Sequence, residues 1–177
     1  MKGADLYGDK LTGKYSRISF HEYPENFNCL FSKYIGVTDI LLNGVYWEEK
    51  IPRLFEIDDM KNDNFNITTI ADISDDRHGS VPCNMGDATM ENPVYGVDKL
   101  SATVTDPYLP ASVDVMAVGN LPNELPRDAS RYFGEQLIKF ILKDLISGGS
   151  KVITNATIVK NGNLTDEYNY MKEYAGI

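Results

Sequence analysis

Three apolar runs in this sequence end in small or polar residues: Thr38 to Leu42 closes on Asn43-Gly44, Ile67 to Ala71 on Asp72-Ile73-Ser74, and Val113 to Val118 on Gly119-Asn120. In an open, mainly parallel α/β sheet the ligand crevice lies beyond the carboxyl ends of the strands, where the backbone is free to contact a nucleotide. Three such ends could line one cleft. Small polar residues also terminate strands with no ligand nearby, so the pattern alone leaves both readings open. Asp75 and Asp76 come next, with His78 two residues further on. A carboxyl group and an imidazole so placed could exchange a proton with a substrate. A solvated acidic turn and a surface histidine fit the same letters, as does a loop-capping role for Asp72.

Other chemistries find less support. Cys29 and Cys83 lie far apart with no C-x-x-C spacing, which argues against a disulfide scaffold or a zinc site, so no metal is expected and the compartment is expected to be reducing cytoplasm. The 17 basic and 26 acidic residues give a net charge of −9, which repels a nucleic-acid backbone in the absence of a basic patch. The longest apolar runs fall well short of the roughly 20 residues a membrane helix needs, so no membrane partner is expected. No apolar stretch follows the lysine of MKGADLYGDK, so it does not read as a secretory signal, and the N-x-[ST] matches at Asn66, Asn155 and Asn163 carry no glycosylation meaning. No G-x-G-x-x-G follows any of the three runs, and no acidic residue stands where a ribose would need it, so a pyrophosphate has no helix N-terminus to sit on.

The elements around these positions follow from periodicity. Ser16 to Phe20 alternates polar and apolar residues as a short half-buried strand does. From about Pro24 to Tyr34 the spacing of Phe27, Leu30, Phe31 and Tyr34 predicts a helix with one apolar stripe. The runs at 38–44 and 67–74 read as strands covered on both faces, joined by a loop with Pro52 and a helical turn near Ile57 to Lys61. Residues 75–111 read as irregular loop with hairpin pieces, and 113–118 as a third strand. Leu121 to Ile146 carries the clearest helix: Pro126 suits its first turn, Asp128 complements the dipole, and Gly148-Gly149 ends it. Its apolar positions Ala129, Phe133, Leu137, Phe140, Ile141 and Leu145 keep helical spacing, with Glu135 and Lys139 as an i, i+4 pair opposite. The tail reads as a β-rich run from Val152 to Val159, an Asn161-Gly162 turn and an amphipathic end around Tyr168 to Tyr174.

The runs TDILLNGVYW, IADISDDRHGSVP and VDVMAVGNLPNELPRDASRYFGEQL, in that order, resemble the second half of the lysine-forming saccharopine dehydrogenases and their lysine–ketoglutarate reductase relatives, within the wider alanine dehydrogenase and transhydrogenase family. The last run is the most specific, and the likeness extends over about residues 16–175. It implies an α/β fold, a partial Rossmann-type parallel sheet with a long crossing helix and a tail. It also implies a parent enzyme that moves hydride between NAD or NADP and the secondary amine or imine of an amino acid. Carried over by position, it implies that Val45 and Tyr46 touch the dinucleotide, with Asp72, Ile73 and Ser74 alongside. Tyr46 and Trp47 would reach toward the amino-acid substrate, and Val118, Asn120 and Leu121 would pass under the nicotinamide. Asp76 matches the catalytic aspartate of the alanine dehydrogenase branch. Where relatives often carry a cysteine this chain has Asp75, an added carboxylate that disfavours a negatively charged ligand.

On this likeness, residues 1–120 are the C-terminal part of a dinucleotide-binding domain with a loop insertion at about 75–111. Residues 121–177 are a crossing helix and tail that would pack on an N-terminal substrate domain not contained in the sequence. The family's lysine and histidine acid–base residues lie in that domain, so the chain alone is expected to be inactive, with a missing half or a second copy as partner. An alanine dehydrogenase-like enzyme is the nearest alternative, and Tyr46-Trp47 with Asn123 to Arg127 favours the saccharopine branch. A non-catalytic binding or assembly module is the alternative of a different class.

Overall fold

The structure, a computed structural model, describes residues 1–176 and divides into two compact units, Met1–Leu121 and the residues from Pro122 onward. In the first unit, α1 (Gly3–Leu6) leads into β1 (Tyr7–Asp9), then α2 (Arg17–Glu22), β2 (Phe27–Cys29) and α3 (Ser32–Ile35). β1 and β2 form a two-stranded antiparallel sheet, with Tyr7 opposite Cys29 and Asp9 opposite Phe27. A second sheet contains β3 (Ile40–Asn43), β4 (Thr69–Asp72), β5 (Val94–Asp98), β6 (Val104–Thr105) and β7 (Ser112–Met116), in the spatial order β3-β4-β7-β5-β6. β3, β4 and β7 are parallel, and β5 returns antiparallel to β7. This is a mixed α/β architecture of partial Rossmann type.

Apolar alternation explains this sheet. Ile70 on β4, Val97 on β5 and Val113 and Val115 on β7 are fully buried, and Ile67 joins them just before β4. At roughly 25 cal/mol per Å² of apolar surface removed from water, these aliphatic side chains hold the sheet within a core that also buries Phe27, Phe31, Phe55, Met60 and Phe65. β3 departs from the expectation of a strand covered on both faces: Leu41 and Asn43 are buried, while Ile40 and Leu42 are 62% and 69% exposed. It is an edge strand with a free face, which an uninterrupted apolar run does not reveal.

Two N-terminal expectations are corrected. Residues 16–20 are not a strand: Ser16 accepts from the Ser19 amide and caps α2, of which only Phe20 is buried. Residues 24–34 are not one helix either. Pro24 opens a 3-10 turn, Phe27 to Cys29 is captured by β1, and only Ser32–Ile35 is helical. The apolar stripe is nevertheless internal, because Phe27 and Phe31 are buried, and Phe20 meets Phe27 edge-on at 5.2 Å. Four apolar positions can satisfy a helical period and still be claimed in part by a neighbouring strand.

In the second unit, α4 (Pro126–Leu137) continues through a π-helical stretch, Ile138–Leu142, into α5 (Lys143–Ile146), as the periodicity predicts. Asp128 pairs with Arg131 at 2.9 Å, and Lys139 lies over the Phe140 ring instead of closing on Glu135. Gly148 and Gly149, at φ 95° and 118°, stop the helix. The β-rich reading of 152–159 is corrected: Ser150 accepts from the Ile153 amide and starts α6 (Lys151–Ala156), leaving β8 (Val159–Lys160) to pair with β9 (Asn163–Leu164) across the Asn161-Gly162 turn. The chain then forms a 3-10 stretch, Asp166–Met171, and α7 (Lys172–Ala175). Among the described residues from Pro122 on, none is buried.

Ile70→Ala should lower the unfolding free energy by about 2–5 kcal/mol, as expected for a filled aliphatic site. Phe133→Ala, at an apolar position 65% exposed, should change it by under about 0.5 kcal/mol. Urea denaturation of both variants in dilute solution checks the pair, and a large loss from Phe133→Ala would contradict its exposure.

Candidate functional site

The register aligns the carboxyl ends of the parallel strands: Asn43 of β3 lies opposite Asp72 of β4, and Ala71 opposite Met116 of β7. Because β5 is antiparallel, its first residue, Val94, sits beside Met116, so the 85–93 loop enters at the same edge. Four chain segments therefore meet where an α/β sheet binds its ligands.

Asp72 is the hub of that edge. Its side chain is 1% exposed, and Oδ1 accepts from Asn43 Nδ2 at 2.7 Å and from the Asp75 amide at 3.3 Å, while Oδ2 accepts from Asn84 Nδ2 at 2.9 Å. Asn43 also donates to Ser80 Oγ at 2.8 Å, and its Oδ1 accepts from the Val45 amide. Its carbonyl accepts from the Ile73 amide at 2.7 Å, and Ser74 Oγ donates to the Val45 carbonyl at 2.6 Å. The loops after β3 and β4 are thus tied together, and Asp72 fixes backbone rather than facing solvent. Among the described residues no buried side-chain nitrogen or oxygen lacks a partner.

Next to this hub stand two half-buried carboxyl groups. Asp75 adopts a left-handed conformation, φ 53°, and its Oδ1 accepts from Asn84 at 3.2 Å. Burial raises its pKa, the Asn84 hydrogen bond opposes the shift, and the charges of Asp87 and Asp72 add to it. Burial, then the Asp72 charge, raises that of Asp76. A Cβ at Gly119 would sit 3.1 Å from both Asp75 Oδ2 and Asp87 Oδ2, so the turn after β7 passes close to two carboxyl groups that would have to shift slightly to admit a side chain. His78 directs Nδ1 to the Pro82 carbonyl at 3.2 Å rather than to Asp76. A carboxyl held above its usual range keeps its proton to higher pH than a free aspartate does, which suits it to a role in proton transfer.

The remaining sequence-predicted positions are spread along the edge. Val45 and Ser74 are half-buried in the stitched loops, and Val118 is buried, with Ala88 beside it in a parallel bridge. Tyr46, Ile73 and Asn120 are exposed, and Leu121 is half-buried. Trp47 turns inward: Nε1 donates to the Ile51 carbonyl at 2.9 Å, and the Arg53 guanidinium lies 5.8 Å from the ring centroid. Sequence reasoning missed Asn84 and Tyr95. Asn84 is fully buried and donates to both Asp72 and Asp75, while the Tyr95 hydroxyl accepts from the Met85 amide at 2.8 Å. Burial pushes the Tyr95 phenol up to about 12. The available signal was an amide enclosed by apolar residues in Val81-Pro82-Cys83-Asn84-Met85.

No family model matches the chain. It is similar to the mitochondrial alpha-aminoadipic semialdehyde synthase of Mus musculus, 28% identical over 93% of this chain and 21% of that protein. The alpha-aminoadipic semialdehyde synthase of Arabidopsis thaliana is 27% identical over 89% of this chain and 16% of its own length. The saccharopine dehydrogenase (NAD(+), L-lysine-forming) of Yarrowia lipolytica is 30% identical over 62% of this chain and 28% of its own. The chain is thus a distant homologue of these enzymes and spans about a fifth of the length of the synthases it matches.

Asp72→Ala strips an acceptor from two buried amides, and the loss should be about 2–4 kcal/mol of unfolding free energy, measured by denaturant titration. Asp75→Asn should act oppositely at neutral pH. A carboxyl whose folded pKa lies above its unfolded value binds more protons in the folded state, so stability falls as pH rises through a window opening at the ordinary 3.8 and extending upward. Melting temperatures across that window should show wild type losing ground to Asp75→Asn as pH rises. A constant difference between the two proteins would contradict this.

Proposed function

We propose that residues 1–121 are part of the dinucleotide-binding domain of a nicotinamide-dependent amino-acid oxidoreductase of the saccharopine dehydrogenase type. The observation that supports this best is the shared carboxyl edge of β3, β4 and β7, with its loops stitched through Asp72. On this reading backbone at Val45, Tyr46, Asp72, Ile73, Ser74, Val118, Asn120 and Leu121 borders the nicotinamide half of NAD or NADP. The edge fits that group: it offers an ordered backbone, open space at Gly44 after β3 for close approach, and a carboxyl able to hold a proton. When bound, the cofactor supplies hydride transfer. Asp76 carries the proton that accompanies amine or imine chemistry, and Tyr46 and Trp47 approach the amino-acid substrate.

The rest of the machinery lies outside this sequence. A Gly-rich phosphate loop and further acid–base residues are needed, and the sequence supplies neither, so catalysis requires an additional polypeptide segment or partner. The long helix and tail after Leu121 would pack on a substrate domain, a role that suits the exposed Phe133, Ile138 and Phe140. Cys29, half-buried, and Cys83, buried, are free thiols. Among the described residues no helix is long and apolar enough to cross a membrane.

The test is thermal unfolding with added NADH. A ligand that binds only the native state stabilises it by mass action, about 0.4 kcal/mol when its concentration equals Kd and about 2.7 kcal/mol at a hundredfold excess. The melting temperature should climb with NADH into the millimolar range. An unchanged transition would favour a non-catalytic binding or assembly module.

A further inference from the structure

We propose that the cleft between the turn after β1, the 47–56 loop and the Arg77-His78 turn binds a small molecule through a carboxylate or phosphate group, with Lys50 and Arg77 as its cationic partners. This site goes beyond the dinucleotide reading: it shares Trp47 with the substrate side of that reading but is argued from the cleft's own cations. The cleft has a volume of about 610 Å³, within the roughly 300–1,000 Å³ of small-molecule sites. Part of its lining is apolar: Phe27 and Ile51 are 1% and 3% exposed, and Pro52 lies beside them.

The electrostatics select an anion. The chain carries −9 overall, so an anionic ligand is repelled by most of its surface. Here the sign reverses: Lys10, Lys50, Arg53 and Arg77 face the cleft against Glu25, Glu49 and Glu56. Two of the cations are already engaged. Arg53 donates to the carbonyls of His78 and Gly79 and pairs with Glu56 at 3.3 Å, and Lys10 Nζ donates to the Glu25 carbonyl at 2.7 Å. Lys50 and Arg77 have no side-chain hydrogen bond or ion pair among the described residues, although both border the cleft.

The cleft is also built to hold Arg77 in place. His78 adopts φ 52°, and the Arg53 guanidinium donates to the consecutive carbonyls of His78 and Gly79, which fixes the turn that follows Arg77. A guanidinium on a fixed backbone binds carboxylate or phosphate oxygens with less ordering cost than one on a free loop. Glu25 and Glu49 on the same rim limit how much negative charge the ligand carries, which favours a small mono- or dianion over a polyanion.

Trp47 borders this cleft and is the one tryptophan of the chain, so its emission reports occupancy directly. Trp47 fluorescence, excited where tyrosine does not absorb, is titrated with sodium succinate and with inorganic phosphate at constant ionic strength. At least one probe should give a saturable change, and which one saturates identifies the group as carboxylate or phosphate. Arg77→Gln and Lys50→Gln, both at exposed positions, should each weaken that binding about tenfold, with circular dichroism confirming the fold. Lys33→Gln, at an exposed lysine over Tyr34 that does not line the cleft, should leave it unchanged. The proposal is overturned if neither probe saturates, if Arg77→Gln binds like wild type, or if Lys33→Gln weakens binding as much as Arg77→Gln.

Discussion

A carboxylate almost without solvent access sets the terms for this fold. Removing Asp72 from water is costly unless its oxygens are met by donors. Here the donors come from β3, from the loop that follows β4, and from Asn84. Because Asn43 reaches Asp72 only in the observed register, the network selects one alignment of the two parallel strands. A shift by one residue would exchange their buried and exposed faces and separate the amide from the carboxylate. Hydrogen bonding thereby supplies a specificity that the exposed outer face of β3 does not.

That solution shapes everything placed on the edge. Once Asp72 is surrounded, charge added nearby meets a low-dielectric neighbourhood, and Asp75 and Asp76 feel both burial and a fixed negative neighbour. Their protonated forms are favoured relative to free aspartate, which reduces the repulsion that Asp75 would otherwise impose on an anionic ligand. The cost falls on backbone freedom: Asp75 is held at positive φ, and the turn after β7 carries a glycine where Asp75 and Asp87 approach closely. Strain and raised pKa values at one sheet edge are the combination expected where function has overridden stability.

Sequence reading succeeded where the signal is local and failed where a partner distant in sequence decides. β4 and β7 are legible because buried aliphatic runs of strand length have few alternatives, β3 as a strand but not as an edge strand with a free face, and the 126–146 helix because proline, aspartate and paired glycines mark its ends. The 27–29 segment was misread because its pairing with Tyr7 to Asp9 is invisible to a window that sees only its own periodicity. α2 and α6 were misread for a different reason. Single serine caps at Ser16 and Ser150 overrode alternation and β-branched propensity, which are weak preferences in short segments. At the site, positions ending strands were legible, whereas Asn84 and Tyr95 were not, since a buried polar residue in an irregular loop has no periodic signature.

The segment after Leu121 follows a different physical logic. Its helix has the apolar spacing of a core-facing element, yet Phe133, Ile138, Phe140 and Leu145 are 57% or more exposed. Helices in proteins draw most of their stability from packing an amphipathic face, because nucleation is unfavourable and isolated helices are marginal in water. Leu125 supplies no side-chain cap, and the exposed Asp128–Arg131 pair contributes only about a few tenths of a kcal/mol, too little to offset the exposure of so many large side chains. Such a stripe is consistent with a helix selected to cover another apolar surface. The substrate-domain role proposed for this segment meets that requirement, whereas a solitary solvated helix has no reason to keep phenylalanine at both position 133 and position 140.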